Sequence, residues 1–278
     1  ISKIYGIFNG TSNYILSTMD KENKSFDEVL KNAQKLGYAE SNSSSDLNGD
    51  DVSSKLKILS SLCFNSLLNH NIYVEGIKNI DMHDINNANK LGYKIKLLGY
   101  AELINNVIYQ RVHPTLIKKS SYVASIDGVL NAVIVDGHPV GQSIIQGDGA
   151  GPAATTSALV SDISSICRGN IKFPFALSTK QRKRLKFSNI SNRYFSAYLR
   201  FEVQDKPGVL SNITRIFSKN KVSIKRLLQN PNKGKKLSSI IIVTHDSRND
   251  YLNQILNQIS KKSYIKKIPK LIRIDTNK

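Results

Sequence analysis

The chain has 278 residues, with 40 Lys and Arg against 21 Asp and Glu, which gives a formal net charge of +19. This length can bury a core of one or two domains, and no apolar run approaches the roughly 20 residues that a membrane-spanning helix needs. The charge is uneven: residues 1–178 hold 16 basic and 16 acidic residues, whereas residues 179–278 hold 24 basic and 5 acidic residues. The basic part lacks a zinc spacing, a recognition helix and an aromatic RNA-stacking motif. Nucleic acid is therefore not favoured as a partner.

Two further features place the chain before any motif is considered. The cysteines, Cys63 and Cys167, lie in apolar, helix-like stretches and are predicted to be buried free thiols in a reducing cytoplasm. The chain starts at Ile1, without Met, on a pattern that looks internal. We therefore expect it to be a fragment whose N-terminal part is missing.

The first 178 residues mix helices and strands. Thr11 or Ser12 is predicted to cap a first helix, Ser25 a second helix that stops at Gly37, and a third is predicted from Asp51. Strands are predicted at 95–101, 107–112, 129–135 and 143–146. Because no run of βαβ units is present, residues 1–178 are predicted to be an α+β domain with a mixed sheet.

Two carboxylates and a lysine are the most informative residues of this domain. Asp51 and Lys55 are four apart on the predicted third helix and share a side of it, and Glu40 precedes them on a non-helical segment. A lysine held beside two acids can keep its charge, bind a zwitterion and transfer a proton. From the spacing alone, an exposed ion pair beside an unrelated glutamate is the favoured interpretation.

A glycine loop, Gly147-Asp148-Gly149-Ala150-Gly151-Pro152, lies between a predicted strand and a predicted helix. This is the context of a dinucleotide fingerprint, but the third glycine comes one position early and no second βαβ half follows. A ligand-facing loop at a helix N-terminus and a tight structural turn both remain open.

Residues 179–195 are polar and basic and are predicted to be a linker. Residues 196–274 then alternate as strand, helix, strand, strand, helix and strand, with the loop of 230–236 between the middle strands. The order βαββαβ predicts a ferredoxin-like domain.

The motifs taken together resemble homoserine dehydrogenase, in chain order. They are Gly6 to Leu16, Gly37 to Lys55, Arg111-Val112-His113-Pro114 and the glycine loop. The segment Asp205 to Leu210, with Gln229 at the end of the next strand, resembles an ACT regulatory domain. The resemblance covers essentially the whole chain.

The resemblance implies an NAD(P)-dependent oxidoreductase that interconverts L-homoserine and L-aspartate 4-semialdehyde, on the route to threonine, methionine and isoleucine. Lys55 would be the catalytic proton donor, and Glu40 and Asp51 would hold the ammonium group of the substrate. The other implied site residues are Tyr38 and Asp46 in the substrate site, Gly10 and Thr11 near substrate and cofactor, and Gly149 at the nicotinamide side.

The ACT resemblance implies threonine as a feedback inhibitor, bound by the backbone around Asp205, Pro207, Gly208 and Val209 between paired copies, and therefore a homo-oligomer. No metal site is predicted, because His113 is interpreted as a structural residue at the end of a strand and the other four histidines lack ligand spacing.

The resemblance also implies a Rossmann domain, a second active-site lysine and sodium-binding backbone groups ahead of Ile1. The chain by itself is therefore expected to hold NAD or NADP poorly and to be inactive. The alternative is a non-catalytic remnant that retains only amino-acid binding and oligomerisation.

Overall fold

A computed structural model describes residues 1–68, 72–170, 175, 177–231 and 236–275. His70 and the middle of the predicted loop 230–236 lie outside these residues. The described chain divides into an N-terminal unit, Ile1–Asn189, and a C-terminal unit, Ile190–Lys278.

The N-terminal unit combines helices with a mixed sheet, as its predicted α+β class requires. Its helices are α1 Gly10–Glu22, α2 Phe26–Lys35, α3 Ser44–Asn48, α4 Asp50–Phe64, α5 Met82–Lys90 and α6 Pro152–Cys167. Its strands are β1 Lys3–Ile7, β2 Tyr73–Val74, β3 Tyr93–Ile104, β4 Val107–Lys118, β5 Leu130–Gly137, β6 Gly141–Asp148 and β7 Lys186–Ser188.

The sheet of this unit runs in the order β6-β5-β1-β3-β4, with neighbouring strands antiparallel. The short strands β2 and β7 pair with β4 in parallel, so the sheet is mixed. Helices α1, α4 and α5 all contact β3. The centre of β3 is buried, because most of its residues there are apolar and those helices cover it; Lys96 is the charged exception.

Two glycines of this sheet admit a neighbouring side chain. A Cβ at Gly6 would lie 2.8 Å from Phe8, and one at Gly99 would lie 2.6 Å from the same ring. The Phe8 ring therefore packs directly against the backbone of β1 and β3 at these glycines, which positions the segment that leads into α1.

Two sequence predictions about this unit are wrong. His113 and Pro114 do not mark a strand exit, because the β3–β4 ladder continues past them to the pair of Tyr93 with Lys118. Cys167 is exposed at the end of α6, and Cys63 is only partly buried. An apolar run predicts burial only if another element covers it, and α6 has no buried residue among those the structure describes.

The C-terminal unit follows the predicted βαββαβ order, with one two-residue strand added. Its elements are β8 Tyr194–Gln204, α7 Val209–Lys219, β9 Ile224–Pro231, β10 Leu237–Thr244, β11 Ser247–Arg248, α8 Asn249–Ser260 and β12 Lys270–Ile274. The antiparallel order is β12-β8-β10-β9, which confirms the ferredoxin-like prediction. One apolar cluster joins α7 and α8 to one face of this sheet.

Within the described ranges, no helix has both the length and the apolar character needed to cross a membrane.

Candidate active site

The N-terminus of α1 is capped by Asn9. Asn9 has extended backbone angles, and its side-chain oxygen accepts a hydrogen bond from the Ser12 N–H at 2.8 Å. The cap predicted at Thr11 or Ser12 is therefore wrong: the helix begins earlier, at Gly10. A Cβ at Gly10 would lie 2.8 Å from the carbonyl oxygen of Val129, so a residue without a side chain lets α1 start close to this backbone.

A tight turn brings the acids of α3 and α4 to this helix start. Gly49 joins the two helices with a φ of +88°, a conformation that favours glycine. A Cβ at Gly49 would also lie 3.2 Å from both Val74 and Val112. The short α3 can therefore turn directly into α4, with Asp46 and Asp51 on the same side of the turn as Asn9.

Asp46, Asp51, Lys55 and Asn9 form one hydrogen-bonded group, which we call the acid–lysine cluster. The Asn9 Nδ2 donates to Asp46 Oδ1 at 2.8 Å and to Asp51 Oδ2 at 2.9 Å. The Lys55 Nζ donates to the same Asp51 Oδ2 at 2.8 Å and to the Phe8 carbonyl oxygen at 3.0 Å. The predicted pair of Asp51 and Lys55 is thus part of a larger group that also involves α1 and α3.

Tyr38 and Thr11 flank this cluster. The Thr11 hydroxyl donates to the Tyr38 carbonyl oxygen at 2.6 Å, and the Tyr38 ring lies 5.0 Å from the Tyr14 ring. The Glu40 side chain is exposed, and no hydrogen bond or ion pair among the described residues links its carboxylate to the acid–lysine cluster. The structure therefore joins Asp46 and Asp51 but leaves Glu40 apart, reaching into solvent.

A buried lysine network, which the sequence analysis missed, holds α1 in place. Lys96 of β3 is 2% exposed and donates to Asn13 Oδ1 at 2.9 Å, to the Ile126 carbonyl oxygen at 2.6 Å and to Asp127 Oδ1 at 2.8 Å. The Asn13 amide in turn donates to the carbonyls of Ile126 and Leu130, each at 3.1 Å. Since Asn13 lies one turn after Asn9, this network anchors the helix start beside which Asn9 joins the acid–lysine cluster.

The charges of this network perturb one another. Burial lowers the pKa of Lys96, and this outweighs the opposing effect of Asp127. Partial burial raises the pKa of Asp127, but hydrogen bonds and charge from Lys96 and Lys94 outweigh it and leave that pKa below its ordinary value. Lys96 and Asp127 thus form a partly buried ion pair, with the Lys96 Nζ 2.8 Å from Asp127 Oδ1. A lysine in a strand of alternating residues gives no sequence signal for such burial.

The glycine loop lies at the exposed start of α6. Pro152 is the first residue of this helix, and Gly151 before it has a φ of +109°. A Cβ at Gly149 would overlap the Asn131 side-chain amide, whereas one at Gly147 or Gly151 would meet nothing within 4 Å. The loop therefore combines one glycine against which the Asn131 side chain packs with open space beside two others, where the edge of a flat ring or an anion could approach.

Helix α6 presents apolar side chains to solvent. Among the exposed residues of this helix are Leu159, Val160, Ile163 and Ile166. None of the residues of α6 is buried.

A cavity of about 440 Å³ opens at the start of α7 in the C-terminal unit. It is lined by residues that include the four predicted regulatory positions, Asp205, Pro207, Gly208 and Val209, and by Gln229. Gly208 caps α7 with a φ of +84° and supplies no side-chain hydrogen bond to the helix N–H groups. The Gln229 amide lies 3.5 Å from Asp205 Oδ1, so polar groups and the helix start face the same space.

The acid–lysine cluster can transfer a proton to the oxygen of a ligand that also carries an ammonium group. Two of the three N–H groups of Lys55 have partners among the described residues, Asp51 and Phe8, and the side chain is 44% exposed. A third N–H can therefore reach a ligand from solvent. The neighbouring acids supply negative charge for an ammonium group.

Comparison with known families gives a match in each unit. The family profile described as homoserine dehydrogenase matches residues 1–164. The profile described as an AHAS small subunit-like ACT domain matches residues 199–267.

Similar proteins carry the same description. The homoserine dehydrogenase of Neisseria gonorrhoeae is 37% identical over 287 residues, covering 99% of this chain and 65% of that protein. The homoserine dehydrogenase of Synechocystis is 39% identical over 285 residues, covering 99% and 66%. The chain thus spans about 65% of the length of the curated relatives that it matches.

Solved structures agree with these sequence matches. A homoserine dehydrogenase from Thiobacillus denitrificans is similar with a TM-score of 0.90 and 36% identity, over 99% of this chain and 64% of that one. That of S. aureus at pH 8.5 gives a TM-score of 0.72 and 32% identity, over 100% and 65%.

Proposed function

Because this chain belongs to the homoserine dehydrogenase family, we propose that the protein interconverts L-homoserine and L-aspartate 4-semialdehyde with NAD(P), in the biosynthesis of threonine, methionine and isoleucine. The observation that carries the proposal is the acid–lysine cluster, which lies within the residues matched to that family. Its groups suit a substrate with an ammonium group at one end and a reacting oxygen at the other.

The acids are proposed to hold the substrate. Asp51 and Asp46 provide fixed negative charge, and Glu40 is exposed, so its carboxylate can meet an incoming ammonium group. A carboxylate that hydrogen-bonds an ammonium group gives a short, charge-assisted contact. Tyr38, Gly10 and Thr11, at the edge of the cluster, are proposed to line the same site.

Lys55 is proposed to donate the proton. When an aldehyde is reduced, negative charge develops on its oxygen, and an ammonium group within hydrogen-bond reach both stabilises that charge and supplies the proton. The contacts with Asp51 and with the Phe8 carbonyl oxygen hold the Lys55 ammonium group in one orientation. In the reverse direction, the neutral amine would take the hydroxyl proton of homoserine.

The glycine loop fits a cofactor contact at one point. Gly149 and its exposed neighbours would lie along the nicotinamide side, where open space and backbone groups allow close approach. When bound, NAD(P) supplies the hydride that the side chains cannot.

The C-terminal unit is proposed to bind threonine as a feedback inhibitor. The cavity at α7 offers backbone N–H groups at a helix start for the carboxylate and the Asp205 carboxylate for the ammonium group. Its volume of about 440 Å³ exceeds that of a small amino acid, so the ligand would not fill it. A second copy of the unit is proposed to cover the remaining space. A homo-oligomer and a cytoplasmic location belong to the same proposal.

The alternative, a non-catalytic amino-acid-binding remnant, is not favoured. The whole acid–lysine cluster is intact, and homoserine dehydrogenases match this chain at 37% and 39% identity over nearly all of its length. A remnant would be under no constraint to keep a proton donor and its partners in contact.

The test is homoserine-dependent reduction of NADP⁺ or NAD⁺ by the full-length protein. The Asp51→Asn variant is expected to raise KM and lower kcat, whereas Asp50→Asn is the matched control, because Asp50 is exposed in the same first turn of α4. The proposal fails if the wild-type protein turns over no homoserine, or if Asp51→Asn and Asp50→Asn behave alike.

A further inference from the structure

We infer that Asn9 is a positioning residue of the acid–lysine cluster: its amide holds the Asp46 and Asp51 carboxylates together and aims Asp51 at Lys55. The inference rests on the proposed function, because it assigns Asn9 to the site that would bind homoserine. Asn9 directly precedes the implied site residues Gly10 and Thr11, and it acts through the two aspartates without contact to the reacting atoms.

The orientation of the Asn9 amide is decided by its neighbours. Its Oδ1 accepts from the backbone N–H of Ser12 at 2.8 Å, and only an oxygen can take that place. The Nδ2 group therefore faces the two acids, with Asp46 Oδ1 at 2.8 Å and Asp51 Oδ2 at 2.9 Å. Each of its two N–H groups serves a different carboxylate.

The Asn9 amide stabilises two carboxylates that lie close together. Two carboxylates that share one donor are close enough to repel each other, and Lys55 forms its ion pair with Asp51. A neutral amide satisfies one oxygen of each acid and adds no charge of its own. Because Asp51 Oδ2 accepts from both Asn9 and Lys55, the Asn9 amide also fixes the Asp51 oxygen that faces the Lys55 ammonium group.

Asn9 is itself held rigidly. It is 5% exposed and caps α1, and the buried network of Lys96 and Asn13 anchors the next turn of that helix. The preceding residue, Phe8, accepts the second hydrogen bond of Lys55. One short segment, Phe8–Asn9, therefore positions both members of the ion pair, which is the kind of preorganised support that an electrostatic site needs.

Two substitutions separate the positioning role from the helix cap. Asn9→Ser keeps a good capping oxygen but removes both amide donors. Asn9→Asp keeps the shape and the capping oxygen but replaces the donors with a third negative charge. Ser25→Ala, which removes the cap of α2, is the matched control for loss of a cap elsewhere.

The first measurement is a double-mutant cycle on the unfolding of this chain, with Asn9→Ser and Asp51→Asn. Each single substitution changes the unfolding constant by some factor. If the amide holds Asp51, the factor measured for the double variant should differ by about fivefold or more from the product of the two single-variant factors. Asn9→Ser with Ser25→Ala should multiply to within about twofold. If the first cycle is also multiplicative, the inference is overturned. Asn9→Gly, a tolerated cap, replaces Asn9→Ser if the latter does not fold.

The second measurement is kcat and KM for homoserine in Asn9→Asp, made on full-length protein that circular dichroism shows to be folded. A third negative charge in place of the two donors should turn Asp51 away from Lys55 and lower kcat/KM by about tenfold, the scale of one charge-assisted hydrogen bond. Ser25→Ala, which loses only a helix cap, should keep kcat/KM within about twofold of wild type. If Asn9→Asp and Ser25→Ala have the same kcat/KM, Asn9 serves folding alone and the positioning role is refuted.

The two measurements fail in different ways. A wild-type protein without homoserine turnover removes the proposed function, and the unfolding cycle still decides whether Asn9 holds Asp51. Normal turnover together with a multiplicative cycle and equal kcat/KM in Asn9→Asp and Ser25→Ala keeps the proposed function and removes the inference.

Discussion

Replacing Lys96 by methionine is expected to destabilise the N-terminal unit by about 3 kcal/mol. The ammonium group donates to Asn13, Ile126 and Asp127, at 2.9, 2.6 and 2.8 Å, while only 2% of the side chain is exposed. Methionine keeps the length of the stem but donates nothing, so the buried acceptors on Asn13 and Ile126 and the partly buried Asp127 carboxylate lose a partner. Breaking one side of a buried ion pair costs about 3–5 kcal/mol, and the lower end applies here because Asp127 keeps Lys94 at 3.0 Å.

The matched control is Lys94→Met. Lys94 pairs with the same Asp127, but its side chain is 23% exposed, so its loss should cost only about 0.5–1 kcal/mol. The assay is urea unfolding followed by circular dichroism, since the chain has no tryptophan. Hydrogen exchange of peptides from α1 and β3 then assigns the change to this unit. Equal losses in the two variants would refute the argument from burial.

The same network predicts how the effect depends on pH. Because the folded state lowers the pKa of Asp127 below its ordinary value of 3.8, the stability that it contributes is present above that pH and is lost as the pH falls through the folded pKa. The difference between wild type and Lys96→Met should therefore shrink below about pH 4. A difference that stays constant to pH 2 would exclude the ion pair as its source.

Three other predictions concern the proposed functions and the turn between α3 and α4. Lys55→Ala should lower kcat by about a hundredfold or more in the full-length enzyme, the scale of a lost general acid, and near-normal turnover would remove Lys55 from the mechanism. Gly76→Ala should destabilise the chain by about 1–3 kcal/mol in urea unfolding, because its Cβ would lie 2.1 Å from the Leu47 carbonyl oxygen, whereas Gly147→Ala, with open space around it, should be nearly neutral. Asp205→Ala should weaken threonine binding at least tenfold in calorimetry of the full-length protein, and unchanged binding would count against the cavity at α7.

Local sequence patterns were sufficient for most of the elements. The βαββαβ order of the C-terminal unit is confirmed, because each of its strands and helices has its own period and its own turn residues. The resemblance to homoserine dehydrogenase with an ACT domain is likewise confirmed by the two family profiles. The i,i+4 pair of Asp51 and Lys55 was readable for the same reason, since a helix fixes that neighbourhood by itself.

The errors arose where a residue depends on a distant partner. The sequence around Pro114 predicts the end of a strand, but pairing with β3 carries the strand past it. The apolar residues around Cys167 predict its burial, but burial also requires a covering element. Asn9 could have been found from its capping preference, although Gly10, Thr11 and Ser12 offered competing positions.

The sequence by itself determined the chemical inventory of this protein: the acids, the lysine, the glycine loop, the two kinds of unit and the family. The tertiary structure decided which of those groups meet. Asn9 joins Asp46 and Asp51 across 37 and 42 residues, and Lys96 reaches Asn13 across 83. Such contacts follow from how strands and helices pack on one another, and no local period encodes them.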